Sequence, residues 1–445
     1  MTFMGQLNLP RFYKACNPSK PLIVGDVTDQ KYYIDFSSVR GNKIIESLQR
    51  TVTLISPDEP TCQLFTGHIG CGKSTELLRL KTELERQKFY VVYFESSQDL
   101  DLADVDITDI LLSVAGQVSE SLEAIQINLY PDYFTKLFGE IADFLQIPIE
   151  FEADAQLASS IGLITSKTKE TPKLRRQLRE YLEPRTSSIL QSINQELIEP
   201  AITQLKQRGL AGLVVIVDNL DRVDLRPLSS GRTQPEYLFI DRGEQLRKLR
   251  CHVVYTIPLA LIFSNEAETL KNRLGGGLTP KVLPMVPTRQ RNGQDCPHGI
   301  ALLRQMVIVR AFPGETSEKQ LELITEVFDR RETLDRLCRI SGGHVRNLLG
   351  LLSDCLRQED PPISADCLEN VIRERRDFLT TSITDREWEL LFQVVQQQSV
   401  RADTEYQNLL RGMFVFEYRD QEGTWFGLNP ALEEAQKFQS WLKQN

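Results

Sequence analysis

At 445 residues, with 41% hydrophobic and 25% charged side chains, the chain has the composition of an ordinary globular protein, enough for two to four domains with a sizeable core. Its net charge of −9 excludes a surface that coats nucleic acid or anionic membrane as a whole. The eight cysteines form no C-x-x-C and meet no histidine pair at zinc spacing, which argues against a zinc ribbon and for reduced, intracellular thiols. Met1 to Gln6 lacks a basic segment followed by an apolar one, so no secretory signal is expected, and no apolar run is long enough to span a bilayer. A cytoplasmic location without a membrane partner is the expectation.

Residues 1–30, with Pro10, Pro18 and Pro21 and no clean period, read as an arm laid over a core. After Tyr32–Gly41, Ile44, Ile45 and Leu48 fall at helical spacing, and Ser56-Pro57-Asp58-Glu59-Pro60 makes a turn. Gln63-Leu64-Phe65-Thr66 looks like the end of a buried strand, and Leu77, Leu78, Leu80 and Leu84 mark an amphipathic helix ending near Lys88. Phe89–Phe94 runs apolar without alternation and predicts a strand buried on both faces. Ile107, Ile110, Leu111, Val114 and Val118 give the next helix. Residues 122–185 exceed a minimal strand–helix–strand repeat and read as an insertion carrying a basic segment, Lys167, Lys169, Lys173, Arg175, Arg176, Arg179 and Arg185. Ile189, Ile193, Leu197 and Leu205 continue as a helix expected to kink at Pro200 and to stop at Gly209. Strands follow at Gly212–Asp218, Cys251–Thr256 and Val282–Val286, so strands and helices alternate as in a parallel sheet covered on both faces. From Gly299 to Leu356 the pattern is purely helical. Beyond Arg373, two helices precede a hairpin, Phe414–Tyr418 returning as Thr424–Phe426, the pattern of a winged helix. The expected organisation is an arm (1–30), an α/β core of P-loop type (31–290), a helical lid (291–372) and a winged-helix-like domain (373–445).

Gly67-His68-Ile69-Gly70-Cys71-Gly72-Lys73-Ser74 fits G-x-x-x-x-G-K-[ST] at every fixed position and lies between a strand and a helix, with Thr75 close behind. Backbone N–H groups and a positive helix end then face an anion, and glycine lets the chain wrap it closely. Lys73 would reach the β- and γ-phosphates, and the Ser74 hydroxyl would ligate Mg²⁺. Val214 to Val217 followed by Asp218 supplies the second half, a carboxylate leaving the carboxyl end of a buried strand to hold Mg²⁺ through water. Hydrolysis needs a further group to orient water; Asn219 is no base, Asp221 is the candidate, and Thr256 at the next strand end would bond the γ-phosphate or its water.

These residues carry a family resemblance. The Walker A loop at Gly67 to Ser74, the Walker B strand ending at Asp218 and the polar strand end at Thr256 are similar to the AAA+/STAND class of P-loop ATPases. Ser341-Gly342-Gly343-His344-Val345-Arg346-Asn347-Leu348-Leu349 resembles the sensor 2 motif that opens a lid helix. The resemblance covers about residues 31–445 and implies ATP or ADP with Mg²⁺ as cofactors. It further implies that Arg346 contacts the γ-phosphate from the lid, that the segment around Val39 and Arg40 packs on adenine, and that Arg273 acts as an arginine finger toward a neighbouring copy in a homo-oligomer. Asp218-Asn219-Leu220-Asp221-Arg222 lacks the adjacent acidic pair of most AAA+ members and is closer to the spaced acids of NACHT and KAP proteins, so turnover is expected to be slow.

A winged helix often reads DNA, yet from Asp377 onward six basic residues face eleven acidic ones. Phosphate contacts dominate DNA affinity, so this module is expected to face protein. The basic segment around 167–185 is the better nucleic-acid candidate, without being favoured over a solvated face. Three functions remain in view: an ATPase switch acting on a separate partner protein in defence, signalling or DNA transactions; a nucleotide-stabilised adaptor with little turnover; and a DNA-associated loader or remodeller.

Overall fold

The computed structural model describes residues 7–41, 43–129, 131–146, 157, 159–162 and 171–444; Lys167 and Lys169 of the basic segment lie outside them. Five strands, β1 (Cys62–Gly67), β2 (Phe89–Glu95), β3 (Gly212–Asp218), β4 (His252–Thr256) and β5 (Lys281–Leu283), form one sheet in the order β2-β3-β4-β1-β5. The β2–β3, β3–β4 and β4–β1 pairs are all parallel. Parallel neighbours need long crossovers, and helices supply them, giving the α/β fold read from the alternating pattern. Parallel pairing also brings the carboxyl ends of the strands to one edge: Glu95 registers with Asp218 and Phe65 with Thr256.

The chain divides into two compact units. One comprises Ile45–Thr66 and Leu80–Lys281, the other Met1–Ile44, Gly67–Arg79 and Val282–Asn445. In the first, all seven residues of β3 are buried, and Leu213, Val215 and Val217 share a core with the helix Ile107–Glu123 and the helical run Thr186–Gln207. The kink expected at Pro200 takes the form of a π-helical segment, Ile193–Ile198, just ahead of it. A widened turn accommodates the carbonyl that proline cannot bond. Gly209, at φ +81°, ends the run. β2 is the edge strand of the sheet, and residues on both of its faces are buried, Phe89 and Val91 on one and Val92 and Phe94 on the other; Tyr90 and Tyr93 are partly buried, their hydroxyls bonding Ser121 and Asp218 respectively. Two arginines of the insertion helix Pro172–Leu182, Arg175 and Arg179, face the acidic turn before Ile107, while exposed Arg176 pairs with Glu180 in its own helix. Arg175 pairs with Asp101, and Arg179 lies 3.0 Å from Asp104 and 3.3 Å from Asp106. Arg226 also pairs with Asp104, at 2.6 Å.

In the second unit the helices Pro297–Ala311, Arg331–Ile340, Val345–Gln358 and Ala365–Thr381 make the helical region. Asp385–Gln397 and Thr404–Arg411 follow, closed by the antiparallel hairpin β6 (Val415–Asp420) and β7 (Gly423–Leu428), a winged-helix-like tail. Phe392 stacks on Trp441 at 4.6 Å and Tyr418 on Trp425 at 4.5 Å. The arm helix Leu9–Ala15 packs on Pro297–Ala311, where buried Arg310 donates to the Ala15 carbonyl at 3.1 Å. Among the described residues no helix is long and apolar enough to cross a membrane.

Candidate nucleotide-binding site

The loop after β1 is held by its carbonyls. Lys73 Nζ donates to the Gly67 and His68 oxygens, each at 2.8 Å, and is itself buried. His344 Nε2 bonds the Ile69 carbonyl at 2.8 Å, Arg346 N–H donates to Gly70 at 3.1 Å, and Arg40 Nη2 donates to Cys71 at 2.7 Å. The Gly72 carbonyl takes the first helical bond, from Glu76 N–H at 3.1 Å. All six carbonyls from Gly67 to Gly72 are therefore engaged within the protein. Gly70 needs its glycine: φ is +90°, and a Cβ there would lie 2.8 Å from the Arg346 Cβ. The helix Lys73–Arg86 begins with Lys73 and Ser74, as the motif requires.

The N-terminal segment buttresses this loop. Arg40 is 3% exposed and lies over the Phe36 ring. Tyr33 OH donates to Glu76 at 3.3 Å, and Arg79 lies 3.5 Å from Glu76 and 3.6 Å from Asp35. Burial pushes the Glu76 carboxyl up, against the opposing pull of Arg40 and Arg79. Val39 lines an open cavity of about 1070 Å³ with Gly41, Arg291, Arg419 and Trp425. Thr75 Oγ1 accepts from Leu22 N–H at 3.3 Å.

The Gly-Gly turn expected to open the lid helix does so for a steric reason. A Cβ on Gly343, at φ +73°, would sit 1.6 Å from the Val286 carbonyl oxygen. His344 then caps the helix Val345–Gln358, its Nδ1 accepting from Asn347 N–H at 2.9 Å. With Nδ1 accepting, the ring proton is on Nε2, which donates to Ile69. Burial, chiefly, pulls the His344 imidazole down to about 4, so the ring is neutral. Arg346 uses its side chain on the arm: Nε donates to the Pro18 carbonyl at 3.3 Å.

At the end of β3, both carboxylate oxygens of Asp218 accept hydrogen bonds, Oδ2 from Tyr93 OH at 2.8 Å and Oδ1 from Asn219 N–H at 2.7 Å. Ser96 Oγ donates to its carbonyl at 2.8 Å. The chain then turns through Asn219, at φ +65°, into a short 3₁₀ turn holding buried Asp221. Thr256 Oγ1 accepts from Leu220 N–H at 3.0 Å, so this hydroxyl anchors the turn that presents Asp221. Asn219 Nδ2 donates to Glu95 Oε2 at 3.1 Å. β3 and β1 flank β4, two strand spacings of about 5 Å apart. Arg273 ends the helix Ala267–Arg273, exposed, with Nη1 3.5 Å from the Ile240 carbonyl.

Motif reading did not find Tyr93, Glu95, Ser96 or Glu417. Two tyrosines inside an apolar run were the available sign for β2, since a buried hydroxyl needs a partner. Nothing local marks Glu417, whose place depends on how the tail folds.

No protein-family model matches this chain, and no curated protein is similar enough in sequence to match. Among solved structures, the chain is similar to the Walker-type ATPase paby2304 of Pyrococcus abyssi, with a TM-score of 0.42 and 12% identity over 93% of this chain and 97% of that one. It is similar to the Aeropyrum pernix ORC2 protein in its ADPNP-ADP complexes, at 0.36 and 13% over 96% and 97%. A third likeness, to Cdc6p from Pyrobaculum aerophilum, stands at 0.35 and 14% over 94% and 98%.

Proposed function

We propose that this chain is an ATP-binding and ATP-hydrolysing switch of AAA+/STAND type that regulates a separate partner protein through its lid and winged-helix-like tail. The observation that carries this reading is the loop Gly67–Gly72, whose carbonyls are all bonded within the protein while a lysine and a serine open the following helix. In that role Lys73 meets the β- and γ-phosphates, and the loop from Gly67 through Ile69, Gly70, Cys71 and Gly72 to Thr75 follows their outline. Val39 and Arg40 border the base.

Mg²⁺ suits the donors present. A hydroxyl on Ser74 and a carboxylate on Asp218 are hard oxygen ligands, and Mg²⁺ takes one or two such groups with substrate phosphates and water. Among the described residues no cluster of three or more His, Cys, Asp or Glu could hold a metal on its own. When bound, the ion neutralises phosphate charge. Glu95, registered opposite Asp218, and Asp221, in the turn after it, are carboxyl groups near Asp218; the reading gives the water-orienting role to Asp221, with Arg346 and Arg273 supplying positive charge from the lid and from a neighbouring copy. Thr256 keeps the Asp221 turn in place.

The adaptor reading, with little turnover, draws support from Asn219 standing where an acid would make an adjacent pair. The loader reading is weakened because Arg175 and Arg179 are committed to acidic partners in the chain. Phosphate release by wild type, Lys73→Ala, Asp221→Asn and Glu95→Gln, with and without DNA, tests all three. Release lost in Lys73→Ala supports the switch; equal background release from every variant removes it. DNA stimulation would favour the loader.

A further inference from the structure

His68, one of the four loop residues that the nucleotide motif leaves unspecified, is used by the tail. Its side chain is 2% exposed, and Nε2 accepts the main-chain N–H of Glu417, in β6, at 3.1 Å. The Leu410 backbone also hydrogen-bonds the ring. A ring that accepts at Nε2 must be neutral with its proton on Nδ1. Phe416 stands edge-on to His68 at 5.9 Å and stacks on His344 at 5.8 Å, touching both histidines that hold the loop. The opposite neighbour of β6 is fixed too, because Met285 N–H donates to the Glu417 carbonyl at 2.9 Å. Three consecutive loop residues, His68, Ile69 and Gly70, therefore bond β6, His344 and the first turn of the lid helix respectively.

We propose that His68 is a positioning residue that couples nucleotide dwell time in the loop to docking of the β6–β7 hairpin. The inference rests on the reading of Gly67–Ser74 as a nucleotide site. Its physical content is pre-organisation. With carbonyls turned to fixed donors, the loop's shape is set before an anion arrives, and loss of one donor–acceptor contact lets it relax. Coupling of this kind is reciprocal: whatever factor the docked hairpin adds to nucleotide affinity, nucleotide adds to docking. Lys73 and Arg40 hold the loop through the Gly67, His68 and Cys71 carbonyls, whereas His68 bonds β6 directly.

The experiment uses the full chain and a fluorescent ADP derivative. Release is followed by stopped flow, and amide hydrogen exchange is followed at β6 with and without ADP. His68→Ala and Phe416→Ala are expected to speed release about tenfold, the value of one hydrogen bond near the top of its usual range. His68→Gln, whose amide reaches the position of Nε2, should stay within about threefold of wild type. In wild type, ADP should slow exchange at Glu417, and in His68→Ala it should not. An ADP effect at β6 that survives in His68→Ala, or wild-type release from both alanine variants, overturns the proposal. Should His68→Ala fail to fold, the glutamine variant and the ADP dependence of wild-type exchange decide. If wild type binds no ADP, the nucleotide reading itself falls; if it binds ADP with β6 exchange unmoved, only the coupling falls.

Discussion

The Gly67–Gly72 loop and the end of β3 carry the two halves of a sequence pattern for nucleotide binding, yet they are held in different ways. The loop is pinned by groups far away in the chain: His344, Arg346 and Glu417 lie 275 or more residues from the atoms they bond. Asp218 is fixed by its own neighbour Asn219 and by Tyr93 on the adjacent strand. A group held by its own sheet stays where the sheet puts it. A loop held by a lid helix and a hairpin changes when they do, which suits a switch better than a constitutive enzyme.

Four perturbations should break or sharpen this contrast. The largest effect is expected from Gly343→Ala, which drives a Cβ into the Val286 carbonyl at a left-handed φ. Strain and displacement should cost roughly 3 kcal/mol or more in denaturant unfolding of the unit that holds the lid. β3 packing, read from protection of its amides, should be spared.

The next concerns pH. Burial pushes the Glu417 carboxyl from its ordinary 4.5 up to about 8, while burial, with smaller repulsion from His344 and Lys73, pulls His68 down to about 3. The native state keeps the Glu417 proton longer than the unfolded chain does, so its contribution is full below pH 4.5 and is lost as pH rises through about 8. His68 runs the other way: its contribution is full above 6.5 and is lost as pH falls toward 3. Glu417→Gln should therefore flatten the alkaline limb of stability against pH, by an amount on the order of a few kcal/mol, and leave the acid limb in place. Chemical denaturation between pH 5 and 9 checks this.

Asp218→Ala removes the carboxylate that accepts from the Tyr93 hydroxyl and the Asn219 N–H and should cost about 2 kcal/mol, with Asp218→Asn costing less. Both should abolish the Mg²⁺ dependence of nucleotide binding. The smallest structural effect is expected for Arg273→Ala, within about 0.5 kcal/mol because the side chain is exposed. If Arg273 serves a neighbouring copy, turnover should rise with protein concentration in wild type and not in the variant.

Much of this was legible in the residues. The loop motif, the seven-residue β3 run and the Gly-Gly turn each need particular side chains at particular spacings, so local pattern found them. The edge position of β2 was not legible, because Phe89 to Phe94 has the same apolar run whether one or both of its sides are paired. Pro200 announced a defect, but whether the helix kinks or widens depends on packing around Ile193 and Leu197. The service of His68 and Phe416 to one another was hidden altogether, being a contact across 348 positions that no periodicity encodes.

The central claim is that the Gly67–Ser74 loop binds a nucleoside triphosphate through Lys73. Titration calorimetry of Mg-ATP into wild type and Lys73→Ala tests it most directly. Saturable heat from wild type, with affinity weakened roughly 100-fold in the variant, is the predicted result. Indistinguishable titrations of two well-folded proteins would contradict it.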